Sequence, residues 1–265
     1  MENLKILRDK TGAGIIDCKN SLAEAGGDIE KAVEILRKKG IAKAAKRGER
    51  ETKEGIIKIA VNDQAKRGYI VEINAETDFV VRSEKFQEFA NKILQLLINQ
   101  QPKDKNELMS LPLDNANVQK VLDNLSGVIG EKINIKKCDI LSSNGTVTGY
   151  THLGGKIGVL VAIDKAEEKT LATELAMQIA ATNPVYITSN QVSVEELNKE
   201  KEIYTEQLKK EGKPEEIIVK ILNGKINKYY QEICLIEQEY IKDDKKQIKD
   251  ILGKIKVEKF IRYSL

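Results

Sequence analysis

The residues best suited to act on something outside this chain are Asp78 and Phe79, set side by side in Thr77-Asp78-Phe79-Val80. They follow a strand-like run, Tyr69 to Ile73, and precede an amphipathic helix that begins near Ser83. Strand-to-helix junctions lie at domain edges, where a bulky apolar side chain beside a carboxylate is presented outward. Held together, a carboxylate and an apolar wedge can disturb a metal–phosphate site on another protein. A purely local reading also exists, in which Thr77 or Asp78 caps a helix and Phe79 fills a local core. Both stay open on these residues alone.

Other chemistry finds little support. The only histidine, His152, rules out a His-based metal cluster and an HExxH motif. It lies in Tyr150-Thr151-His152-Leu153-Gly154-Gly155, at a strand end or in a loop. There it is either an ordinary surface imidazole or a partner contact on the same rim as Asp78 and Phe79. No GxSxG, phosphate-loop GxxxxGK[ST] or strand-placed GxGxxG motif is present. The carboxylates lie mostly on charged helix faces, where solvated pairing is their usual role. Cys18, Cys138 and Cys234 are odd in number and far apart, so neither a disulfide framework nor a zinc site is supported. No metal or cofactor is expected, and covalent catalysis is disfavoured.

The elements that must position these residues follow from periodicity. Residues 1 to 40 read as a three-helix docking module, with breaks at Thr11-Gly12-Ala13-Gly14 and Gly26-Gly27, a cap at Asp28 and a stop at Gly40. Residues 41 to 54 read as a basic linker; Arg37 to Lys53 carries eight Lys/Arg against two Glu. Ile57, Ile59 and Val61, then Tyr69, Val71 and Ile73, alternate as a hairpin with one half-buried face. Phe86, Phe89, Ile93 and Leu97 trace a helix, and Val118, Leu122, Leu125 and Ile129 a second.

A further strand block spans Ile133 to Ile163, followed by a helix through Leu171, Leu175 and Ile179. The arrangement suggests two related α+β halves, residues 55 to 132 and 133 to 265. Ser193-Val194-Glu195-Glu196 has the form of a capping box, and Pro214 suits the first position of the next helix. These helices form an antiparallel hairpin within about residues 194 to 240, with Ile217, Ile218, Ile221 and Leu222 along its seam. Phe260 to Leu265 alternates like a strand returning to a sheet. The expected class is α+β: a small helical bundle, then a two-part core with antiparallel strands and a helical-hairpin insertion.

Charged residues make up 32% of the 265, and the net charge of +3 is too small to mark a nucleic-acid binder. The first residues lack the apolar core of a signal peptide, and no apolar run approaches a membrane span. A cytoplasmic protein with no membrane association is the expectation.

Four separated motifs, in order along the chain, resemble the bacterial elongation factor Ts family. They are Thr11 to Lys19 with Gly27 to Ala32, Asn74-Ala75-Glu76-Thr77-Asp78-Phe79-Val80, Tyr150 to Leu160, and Gly212-Lys213-Pro214 with Phe260-Ile261-Arg262. The resemblance implies a ubiquitin-associated-like N-terminal module and a guanine-nucleotide exchange factor for elongation factor Tu, in its GDP-bound and nucleotide-free forms. Thr77, Asp78, Phe79 and Val80 would then reach the partner's magnesium site, and His152 with Leu153 would make a second contact. Leu153 stands where a small residue is common in that family. The chain itself would bind neither metal nor nucleotide. A competing reading makes residues 37 to 53 a ribosome- or RNA-binding stripe; the absence of aromatics to stack bases weighs against it.

Overall fold

The computed structural model describes residues 2–11, 13–46 and 50–265. The chain is α+β. Its elements run α1 (Glu2–Thr11), α2 (Ile15–Glu24), α3 (Ile29–Lys46), β1 (Glu54–Val61), β2 (Arg67–Ala75), α4 (Asp78–Arg82), α5 (Glu84–Gln100) and α6 (Lys105–Ser110). They continue with β3 (Pro112–Leu113), β4 (Ala116–Asn117), α7 (Val118–Ile129), β5 (Ile133–Ser142), β6 (Thr146–His152), β7 (Ile157–Ile163) and α8 (Lys169–Thr182). The last are α9 (Val194–Lys210), α10 (Glu215–Ile233), β8 (Glu239–Tyr240), β9 (Asp243–Gln247), α11 (Ile248–Leu252) and β10 (Val257–Ser264).

The N-terminal helices enclose a small core of Leu7, Ala13, Cys18 and Ala32. Asp28 caps α3 by accepting the backbone N–H groups of Glu30 and Lys31. Gly40 does not end that helix, as its residue type suggested. A Cβ on Gly127 of α7 would stand 2.6 Å from the Gly40 Cα, so the glycine pair serves a close crossing of α3 and α7. The helix therefore runs into the segment read as a linker; residues 47 to 49 of the basic stripe, and Gly12 of the first break, lie outside the described residues.

Two antiparallel sheets, ordered β1-β2-β5 and β10-β7-β6, share one plan. A hairpin is followed by a helical excursion, and the chain then returns to pair with the hairpin's second strand. The strand block read from residues 133 to 163 is consequently split: β5 completes the first sheet and the second begins at Thr146. The strand read at the C-terminus is β10.

The sheets pack face to face through Ile57, Ile70, Leu141, Val147 and Leu160. Tyr69, Val71 and Ile73 turn the other way, against Phe86, Ile93 and Leu97 of α5. That makes β2 buried on both faces rather than one, because a second sheet covers the side on which polar residues were expected. Its Glu72 is fully buried and paired with Lys136 at 2.8 Å and Lys137 at 3.5 Å. On the far side, Val159, Val161 and Ile163 meet Leu175, Ile179 and Ile248.

Helices α9 and α10 form the hairpin, closed by Gly212 at φ +73°. Ser193 caps α9 through the Glu196 N–H, but the capping box is one-sided. The Glu196 carboxylate instead accepts the Tyr186 and Tyr229 hydroxyls, each at 2.6 Å, which ties the hairpin base to the core. Those hydrogen bonds hold the Glu196 carboxyl below its ordinary pKa. Pro214 lies one position earlier than expected, as the N-cap of α10. Ile218 is buried in the seam, whereas Ile217 faces outward.

Candidate functional site

The turn that carries Phe79 is braced at every residue around it. Thr77 has extended backbone and is the N-cap of α4: its Oγ1 accepts the Val80 N–H at 3.4 Å. The Thr77 hydroxyl donates to Glu131 Oε1 at 2.7 Å, and the Thr77 N–H donates to Glu131 Oε2 at 3.0 Å. Val80 is buried against the α5–sheet core. Ser83 ends α4, starts α5 and donates its hydroxyl to the Val80 carbonyl at 2.7 Å. Gln87 donates to the Val81 carbonyl at 2.7 Å and accepts from Lys58 Nζ at 3.0 Å. Partial burial lowers the pKa of that ammonium.

With Val80 turned inward, Phe79 projects outward and is 80% exposed. An apolar ring so exposed, on a turn held this firmly, is sterically available to another surface. Asp78 is partly exposed beside it, and its carboxylate meets Arg82 Nη2 at 3.0 Å, one helical turn on. So exposed a pair is weak and opens readily to a better partner.

The local reading of the motif is therefore half right: Thr77 is a cap, but Phe79 is not core. Val80, placed by its motif among the outward residues, is an anchor instead, because a helix turn that presents one apolar residue must bury its neighbour to hold position.

The second set lies at the end of β6. His152 is exposed, and its Nδ1 is 3.0 Å from the Tyr150 hydroxyl, with the rings stacked at 5.9 Å between centroids. Leu153, 66% exposed, has φ +50°, and Gly154 and Gly155 follow at +66° and +96°. Three successive left-handed residues reverse the chain sharply. A Cβ on Gly155 would lie 2.7 Å from Ile56 Cγ1, so the turn sits directly on β1.

Asp78 and Leu153 line one cleft of about 350 Å³, together with Glu54, Ile56, Arg82 and Lys156. The structure thus brings one residue of each sequence-distant set to a single cleft. What sequence reasoning missed is the support. Arg82 was legible as the i+4 partner of Asp78, but nothing local marks Glu131. Among the described residues, no group of three or more His, Cys, Asp or Glu is arranged to hold a metal ion. No described helix is long and apolar enough to cross a membrane.

Comparison with known proteins bears on the whole chain. A family model described as "Elongation factor TS" matches residues 76–265. The chain is 43% identical to "Elongation factor Ts" of Chlorobaculum tepidum, covering 100% of this chain and 97% of that protein. It is 41% identical to the protein of the same name from Halothermothrix orenii, over 100% of this chain and 91% of the other. The Clostridium perfringens protein is 42% identical over 98% and 90%.

Proposed function

The chain belongs to the elongation factor Ts family and is a nucleotide-exchange factor of translation elongation; from that premise we propose how it acts and on what. Its partner is elongation factor Tu, met in the cytoplasm in the GDP-bound form and left nucleotide-free. Phe79 is the apolar wedge that enters the partner beside its magnesium site, and Asp78 supplies the charge there. His152 and Leu153 press on a neighbouring element, while the N-terminal helices and the α9–α10 hairpin hold the partner in place. The observation that carries this reading is an 80% exposed phenylalanine on a turn whose other residues are capped, buried or hydrogen-bonded.

The mechanism needs no bond to be made or broken. A factor that binds the nucleotide-free partner more tightly than the nucleotide-bound one weakens nucleotide binding by the same ratio. Much of a nucleotide's affinity runs through Mg²⁺ and the backbone that cradles its phosphates. A ring wedged beside that site misplaces both, and a carboxylate arriving there competes for the metal or repels the phosphate. Asp78 is free to do so once its exposed pair with Arg82 opens. Afterwards GTP restores the metal–phosphate contacts and, by the same linkage, expels the factor.

Stopped-flow release of labelled GDP from elongation factor Tu, with and without the chain, tests the proposal. The chain should accelerate release and Phe79→Ala should remove most of the acceleration while leaving the circular dichroism unchanged. Equal acceleration by both proteins would dispose of the wedge.

A further inference from the structure

Two carboxylates from different parts of the first α/β unit brace the turn beneath Phe79, each accepting the backbone N–H of the residue that follows the other. Glu76 precedes Thr77, and its Oε1 accepts the Lys132 N–H at 2.6 Å. Glu131 precedes Lys132, and it accepts the Thr77 N–H at 3.0 Å and the Thr77 hydroxyl at 2.7 Å. The exchange of contacts locks the β2–α4 junction to the α7–β5 junction. Arg50, in the segment that enters β1, closes the cluster: its Nη1 lies 3.3 and 3.2 Å from the two Glu76 oxygens, and its carbonyl accepts Lys132 Nζ at 2.8 Å.

The Thr77 hydroxyl has one hydrogen to give. Glu131 takes it, which leaves a lone pair turned toward the Val80 N–H, 3.4 Å away. Thr77 can cap by itself, but the bond to Glu131 fixes the side-chain rotamer that holds Oγ1 over the Val80 N–H. Helix α4 has only five residues, so its first-turn cap and the burial of Val80 govern where Phe79 points.

We infer that Glu131 is a positioning residue for nucleotide exchange: without touching the partner, it fixes the Thr77 cap and through it the direction of Phe79. The inference rests on Phe79 being the wedge. Glu76 and Arg50 hold the opposite half of the same clamp. Because α7 leads into Glu131 and packs against α3 at Gly40 and Gly127, the clamp also links the N-terminal helices to the wedge.

The test follows GDP release from elongation factor Tu against increasing concentration of the chain, which separates a plateau rate from a half-saturating concentration. Loss of folded protein raises the half-saturating concentration and leaves the plateau. A misdirected wedge lowers the plateau instead. Glu131→Ala should lower the plateau by about ten-fold, less than the roughly 100-fold that a misplacement of an ångström can cost, with little change in half-saturation. Glu131→Gln keeps an acceptor for the Thr77 N–H but not one for the hydroxyl as well, and should fall between. Adding Glu131→Ala to Phe79→Ala should change nothing further, since one acts through the other.

Hydrogen exchange of the Thr77 amide in the free protein is read in parallel. It should accelerate in Glu131→Ala and stay unchanged in Phe79→Ala. A normal plateau in Glu131→Ala despite an unprotected Thr77 amide overturns the inference. A Thr77 amide still protected without Glu131 overturns the clamp itself. A normal plateau in Phe79→Ala defeats the wedge reading instead, leaving the exchange data to judge the clamp. If Glu131→Ala does not fold, Glu131→Gln carries the same comparisons.

Discussion

The turns bearing Phe79 and His152 border one cleft but are held there by opposite means. The turn bearing Phe79 has ordinary backbone, and its shape comes from distant groups: Glu131 on Thr77, the core on Val80, Gln87 on the Val81 carbonyl. The turn bearing His152 is almost self-contained. Its shape comes from three left-handed residues in a row, and Leu153, which lacks glycine's freedom, adopts that region at a cost of about 1 kcal/mol. One feature is a rigid projection whose direction depends on the fold as a whole; the other is a strained corner whose direction depends on its own glycines. A change far along the chain should disturb the first, and only a change close by should disturb the second.

Four substitutions probe that contrast. Phe79→Ala carries the largest expected effect: about 100-fold slower catalysed GDP release, the scale of a central interface anchor, with an unchanged urea midpoint because the ring is 80% exposed. A shifted midpoint would mean that Phe79 serves the fold after all. Next comes Gly155→Ala. Its Cβ would meet Ile56 Cγ1 at 2.7 Å in a backbone at φ +96°, so stability should drop by about 2 kcal/mol in urea denaturation. Release should slow as well if His152 is displaced; wild-type release in a destabilised protein would remove His152 from the site.

Thr77→Ala removes the cap and the hydroxyl bond to Glu131, for a loss of about 1 kcal/mol in the same denaturation experiment. Its GDP-release plateau should fall with that of Glu131→Ala, and a normal plateau would show that Val80 alone directs the wedge. The smallest change belongs to Tyr150→Phe, which deletes one exposed hydrogen bond to His152 Nδ1. An effect of about 0.5 kcal/mol or less is expected on stability and on release alike. A larger loss of release would mean that Tyr150, and not the local backbone, orients the imidazole.

Much of the fold was legible because its signals are local. Alternation at Ile57 and Tyr69, the helical spacing of Phe86, Phe89 and Ile93, and the Gly-Lys-Pro turn each concern neighbours within a few residues. The errors arose where a distant partner decided. Gly40 has the composition of a helix stop and is used for a helix crossing, since Gly127 sits 87 residues away in sequence and in contact in space. Strand β5 reads as part of the block that follows it and pairs backward with β2, because strand pairing is set by which edge is free when the chain arrives. Glu196 reads as a capping-box residue and is taken by two phenols.

The site divides in the same way. By itself the sequence determined the chemistry on offer: a phenylalanine beside a carboxylate after a strand, and one histidine before a pair of glycines. It also determined that Thr77 can cap, since capping needs only the next three residues. Tertiary structure decided which side chains of the motif look outward, that Asp78 and Leu153 border one cleft, and that Glu131 holds Thr77. Those outcomes depend on burial and on hydrogen bonds between residues more than fifty positions apart. Such contacts exist only once the chain has folded, and no local pattern records them.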